Sequence, residues 1–195
     1  MQAARGASLT SSDAEGSDAT RTGRRPARRR ARIVFALVAL AAYAVDIGAK
    51  TWAVHRLSRG DIEVLGDWFV LHLVRNPGAA FSTGTGFTVV FSLVAIAAVV
   101  IVLWFARRIA TTLWAFALGL LLAGIAGNLT DRIFRDPGPL RGHVVDLFMV
   151  PHWPVFNVAD VCIDVAAGLI LLQAFRNVRL DGTRAARDGA EEQPA

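Results

Sequence analysis

Cysteine is nearly absent from this chain: Cys162 stands alone among 195 residues, which excludes an intramolecular disulfide and any cysteine-based zinc cluster. The four histidines, His55, His72, His143 and His152, show no His-Glu-x-x-His or comparable ligand spacing, so no metal and no other cofactor is expected. A Gly-x-Ser-x-Gly nucleophile elbow is missing as well. Charge is scarce over long stretches of the middle of the chain and collects in two tails and two loops.

What fills the space is apolar. Hydrophobic residues make up 54% of the chain and mean hydropathy is +0.44, a composition that points to a membrane protein. A net charge of +5 with pI about 10.8 would suggest nucleic-acid binding in a soluble protein. Here seven arginines (Arg21, Arg24, Arg25, Arg28, Arg29, Arg30, Arg32) directly precede an apolar run, so the charge is read as fixing membrane orientation, with no nucleic-acid partner.

Four apolar stretches are long enough to cross a bilayer: Ile33 to Val54, Phe87 to Ala106, a third with its core at Thr111 to Ala126, and Val155 to Phe175. The expected organisation is a disordered basic tail over 1–32, a four-helix membrane domain over 33–175 and a disordered C-terminal tail over 176–195. Basic tails and the Arg107-Arg108 turn fall on one side, which puts both termini in the cytoplasm and the two charge-balanced loops, 55–86 and 129–156, outside. In the first loop, Asp61 to Val74 has the β-branched and aromatic content of a short hairpin turning at Gly66-Asp67. Segment 142–153 reads as a loop dipping back to the membrane surface, with Pro151 and Pro154 preventing a helix.

Polar residues inside apolar helices are costly and therefore mark candidate sites. Asp46 and Lys50 are one turn apart on the first span, able to neutralise each other as an interfacial pair or as a brace for a site. Asn128, Asp131 and Arg132 cluster at the end of the third span beside Gly124 and Gly127, either as a structural clamp or as chemistry. Asn157, Asp160 and Asp164 share one face of the fourth span. Asn76-Pro77-Gly78 is a turn whose small residues admit a peptide backbone. Asp146 and Asp160, fourteen positions apart, lie where a loop meets the start of an apolar helix.

Two carboxylates that meet share one proton, one acting as base toward water and the other as acid toward a carbonyl. Metal-free hydrolysis by Asp146 and Asp160 is one reading. A small proton-coupled transporter using Asp46, Asp131, Asp160 and Asp164 as a relay is the other, although these acids gather toward one side of the membrane instead of spanning it.

Taken in order, Asp46-x-x-x-Lys50, Asn76-Pro77-Gly78-Ala79-Ala80-Phe81, Gly127-Asn128-x-x-Asp131-Arg132, Val144-Val145-Asp146 and Phe156-Asn157-x-Ala159-Asp160 closely resemble the motifs of bacterial lipoprotein signal peptidases, also called signal peptidase II. The resemblance covers about residues 33 to 175. It implies an α-helical integral membrane protein of the bacterial cytoplasmic membrane, with four transmembrane helices and a small extracytoplasmic β-containing element. It further implies an aspartic endopeptidase, sensitive to the cyclic peptide globomycin, that removes signal peptides from diacylglyceryl-modified prolipoproteins just before the lipidated cysteine. Asp146 and Asp160 would be the catalytic dyad. Asn76, Gly78, Asn128, Asp131, Arg132, Asn157 and Ala159 would position substrate or dyad, and Asp46 and Lys50 would support the site.

Overall fold

The computed structural model describes residues 12–78 and 87–184, with side chains from Pro26 onward. Four helices carry the architecture: α1 (Ser12–Arg56), α2 (Thr88–Ala106), α3 (Thr112–Phe134) and α4 (Val158–Phe175). Each contains a window long and apolar enough to cross a membrane. A small sheet sits at one end of the bundle, formed by β1 (Ile62–Glu63), β2 (Val70–Asn76) and β3 (Val144–Met149) in the order β1-β2-β3, both pairings antiparallel.

The helix α3 is the centre of the bundle, packing on α1, α4 and α2. Its glycines make this possible. A Cβ on Gly124 would fall 2.5 Å from the Ala159 carbonyl oxygen, and one on Gly127 would fall 2.3 Å from Asp46 Oδ2, so α1 and α4 approach α3 more closely than any side chain would permit. Large apolar side chains cover much of the outer surface of the helices: Leu37, Leu40, Val94, Val100 and Leu171 are all exposed, as a lipid-facing surface requires.

Two apolar clusters close the ends of the bundle. At the end away from the sheet, Ala31, Val102, Ala106, Ile109, Ala115 and Leu118 pack together. At the sheet end, Ala53 and Leu57 pack against Val145 and Leu147. Alternation along β3 then does the rest: with Val145 and Leu147 turned toward α1, Asp146 projects to the opposite face.

Three local expectations need correction. Segment 144–149 is a strand paired with β2, not an irregular loop: Val74 pairs with Asp146 and Asn76 with Val144. The first helix starts at Ser12, ahead of the boundary expected at Ile33, because Ala and Arg are good helix formers and continue the helix through the basic collar. Residues 176–184, assigned to a disordered tail, form a turn closed by a Val178–Arg184 bridge. Trp114 Nε1 donates to the Val178 carbonyl at 3.0 Å and Ala110 N to the Leu180 carbonyl at 2.9 Å, which docks this turn under the α2–α3 connection. The Ala79-Ala80-Phe81-Ser82 part of the turn motif, the first eleven residues and residues 185–195 lie outside the described residues.

Candidate active site

Asp146 and Asp160 reach one place from different elements. The backbone of Phe156 extends the sheet, its carbonyl accepting from Leu147 N at 3.0 Å and Phe148 N at 2.8 Å. That pairing sets the next residue, Asn157, beside Asp146. Asn157 is also the N-cap of α4: its side chain accepts from Asp160 N at 3.0 Å, while Asn157 N donates to Asp160 Oδ2 at 3.1 Å, a reciprocal capping box. Its side-chain Nδ2 donates to Asp146 Oδ1 at 2.6 Å. One fully buried asparagine therefore holds both carboxylates.

Each acid has a second donor. Asn76 Nδ2 donates to Asp146 Oδ2 at 3.1 Å, and Asn128 Nδ2 donates to Asp160 Oδ1 at 2.8 Å. Asn76 is aimed by its own turn, where Gly78 N donates to Asn76 Oδ1 at 2.9 Å. Gly78 sits at φ +119°, a conformation that favours glycine, and a Cβ there would also meet Phe91 at 3.0 Å and Arg132 at 3.2 Å.

Beneath the two acids lies a buried ionic layer. Lys50 is fully buried; its ammonium donates to Asn128 Oδ1 at 2.8 Å and forms ion pairs with Asp46 Oδ2 at 2.8 Å and Asp131 Oδ2 at 3.1 Å. Asp46 Oδ1 accepts from Ala159 N at 2.9 Å, tying α1 to the first turn of α4. Asp131 Oδ2 accepts from Val145 N at 3.1 Å, tying α3 to β3, and its other oxygen pairs with Arg135. Two aspartates thus face two cations, and every one of these contacts joins separate elements or successive helical turns.

The electrostatic result is clearest at Asp146, which lies outside the helices and is 2% exposed. Its pKa is raised to about 6, the net of burial, which raises it most, hydrogen bonds from Asn76 and Asn157, which lower it, nearby Asp160, which raises it, and Lys50, which lowers it. Both acids open onto a cavity of about 370 Å³ lined also by Asn76, Trp153, Pro154, Val155, Phe156, Val161 and Asp164. Carboxylates sharing a cavity, one of them with a pKa near neutrality, are equipped for proton transfer to and from a bound molecule.

Of the residues singled out in the sequence, Asp46, Lys50, Asn76, Gly78, Asn128, Asp131, Asn157 and Ala159 fall into this one network with Asp146 and Asp160. Arg132 does not join it. Its guanidinium lies 5.8 Å from the Phe91 ring centroid, and among the described residues its buried Nη1 has no hydrogen-bond partner. Arg135, which pairs with Asp131, was not among the residues singled out, although its i+4 spacing from Asp131 is a usable signal. The backbone donors Ala159 N and Val145 N leave no trace in side-chain chemistry.

Fold and site define a multi-pass helical membrane protein with a pair of carboxylates facing one cavity at the end of the bundle. The family model described as "Signal peptidase (SPase) II" matches residues 38–176, and the chain belongs to that family and is a peptidase. It is 48% identical over 162 residues to a lipoprotein signal peptidase of Leifsonia xyli subsp. xyli, covering 82% of this chain and 75% of that protein. Proteins of the same name from Streptomyces coelicolor and Mycolicibacterium smegmatis are 46% identical (80% of this chain, 76% of theirs) and 43% identical (86% and 72%). Among solved structures, two bacterial membrane enzymes determined by the in meso method share the fold, both with a TM-score of 0.63. They are 22% and 25% identical, covering 82% and 72% of this chain and 92% of each of theirs.

Proposed function

We propose that the protein removes signal peptides from diacylglyceryl-modified prolipoproteins, cutting just before the lipidated cysteine with Asp146 and Asp160 as its catalytic dyad. The observation that carries this reading is the sharing of Asn157 by two aspartates that line one cavity. The names of the similar proteins support the substrate class.

In the productive form the dyad holds one proton, on Asp146, whose pKa is raised to about 6. Asp160 takes a proton from a water as its oxygen attacks the scissile carbonyl carbon, while Asp146 donates its proton to the carbonyl oxygen. The tetrahedral intermediate collapses as Asp160 delivers its new proton to the leaving amide nitrogen and Asp146 recovers its own, so the C–N bond breaks and the dyad is reset. Residues Asn76, Asn128 and Asn157 keep both carboxylates oriented throughout, while Lys50 holds Asn128, Asp46 holds the start of α4 and Asp131 holds β3 beside Asp146. Arg132, whose buried Nη1 has no hydrogen-bond partner among the described residues, is available to donate to substrate.

The arrangement also accounts for a lipid-bearing substrate. With the arginine-rich collar in the cytoplasm, the sheet and dyad lie at the outer face of the inner membrane. Acyl chains on the cysteine stay in the bilayer against the apolar helices while the bond beside them reaches the interface. No cofactor takes part.

The test is mass analysis of the products formed from a prolipoprotein with and without diacylglyceryl on its cysteine. A released signal peptide ending at the residue before the cysteine, from the modified form only, is the expected result. Equal cleavage of both forms, or cleavage elsewhere, would contradict the proposal.

A further inference from the structure

Asp164 is the acid that the chemistry above leaves unused. It lies on α4 one turn below Asp160, lines the same cavity and has an exposed side chain. The other acids within the four membrane-spanning segments are engaged: Asp46 and Asp131 with Lys50, and Asp160 with Asn128 and Asn157 N. Among the described residues Asp164 accepts no hydrogen bond and faces no cation. An unsatisfied carboxyl inside a membrane-spanning helix is costly unless something in protein or water meets it. The cavity is the space from which that partner would come.

Distance identifies the part of the substrate involved. Four residues of helix rise about 6 Å. An extended peptide advances about 3.3 Å per residue, so a signal peptide running inward along α4 from a bond held at Asp160 presents its second residue before the cut near Asp164. The direction follows from polarity: the apolar signal peptide continues into the bilayer and the mature protein leaves it. Apart from Asp164, this wall of the cavity offers Val161, an apolar side chain.

Resting on the dyad reading above, we propose that Asp164 is a specificity-determining residue, accepting a hydrogen bond from a hydroxyl side chain at the second residue before the scissile bond. A site built to bond a hydroxyl discriminates against a substrate lacking it, because its own polar group is then left unpaired. A hydrogen bond to a charged or strongly polar acceptor supports a preference of roughly tenfold.

The experiment compares two diacylglyceryl-modified prolipoproteins that differ only in serine or alanine at that position, cleaved by the full chain in detergent. The readout is the serine-to-alanine ratio of kcat/KM. The wild type is expected to prefer serine by roughly tenfold, Asp164→Asn to keep part of the preference through its remaining carbonyl acceptor, and Asp164→Leu to abolish it. A role confined to folding would lower both rates and leave the ratio unchanged. Equal ratios in wild type and Asp164→Leu, or no preference in the wild type, would overturn the assignment while leaving the dyad intact. Failure of the wild type to cleave either substrate would overturn the dyad reading together with it.

Discussion

Replacing Lys50 by methionine tests the buried ionic layer most sharply, because methionine keeps an unbranched apolar stem and removes only the ammonium. The consequences can be followed acceptor by acceptor. Asp131 keeps Arg135 and the Val145 N–H, and Asn128 Oδ1 keeps the Asn157 amide at 3.2 Å. Asp46 is left with one donor, the Ala159 N–H, at 1% exposure. Breaking a buried ion pair by removing one partner costs roughly 3–5 kcal/mol, mostly the penalty of the stranded charge, part of which protonation of Asp46 recovers. At roughly 2–4 °C per kcal/mol for a chain of this size, Tm falls by on the order of 10 °C. The assay is thermal unfolding of purified protein in detergent at a fixed scan rate, with the Asp46→Asn/Lys50→Met double variant alongside. Asparagine retains an acceptor for Ala159 N but carries no charge, so the double variant should regain at least half of the lost Tm. A single variant that unfolds with the wild type, or a double variant no better than the single, would refute the stranded-charge argument.

Packing and titration give two further expectations. Gly127→Ala places a methyl 2.3 Å from Asp46 Oδ2, forcing α1 from α3 and Asp46 from Ala159 N; a loss of about 1–3 kcal/mol with reduced turnover is expected. The control is Gly168→Ala on α4, where nothing lies within 4 Å, which should leave Tm unchanged or slightly raised. For pH, the productive form has its proton on Asp146 and is lost as pH rises through about 6, so kcat/KM falls on that alkaline limb. Asn76→Ala removes a hydrogen bond that lowers this pKa, so the limb should move to higher pH; an unmoved limb would show that another group controls it.

The helices were legible because four apolar runs of spanning length have no soluble alternative. Most of the site was legible for the converse reason: Asp46, Lys50, Asn128, Asp131 and Asp160 interrupt those runs, and a buried polar side chain must find partners. The strand β3 was hidden by its own burial. Val144 to Leu147 are buried on both faces, so the alternation that marks a half-exposed strand is blurred into an apolar run containing one aspartate. Its partner β2 showed clear strand character but could not announce a pairing seventy residues away, which is the span between Asn76 and Asp146. The contacts of Asp46 with Ala159 N and Asp131 with Val145 N were likewise out of reach, since every residue but proline offers the same backbone donor.

The central claim is that Asp146 and Asp160 activate water without a metal. It is tested most directly by cleavage of a diacylglyceryl-modified prolipoprotein in detergent containing EDTA, by wild type, Asp146→Asn and Asp160→Asn, with Tm measured on each. Asparagine preserves size and most hydrogen-bonding capacity, so all three proteins should fold. The wild type should cleave unaffected by EDTA, and each variant should lose on the order of 10⁴-fold in kcat. Cleavage at the normal rate by a folded Asp160→Asn protein would contradict the account.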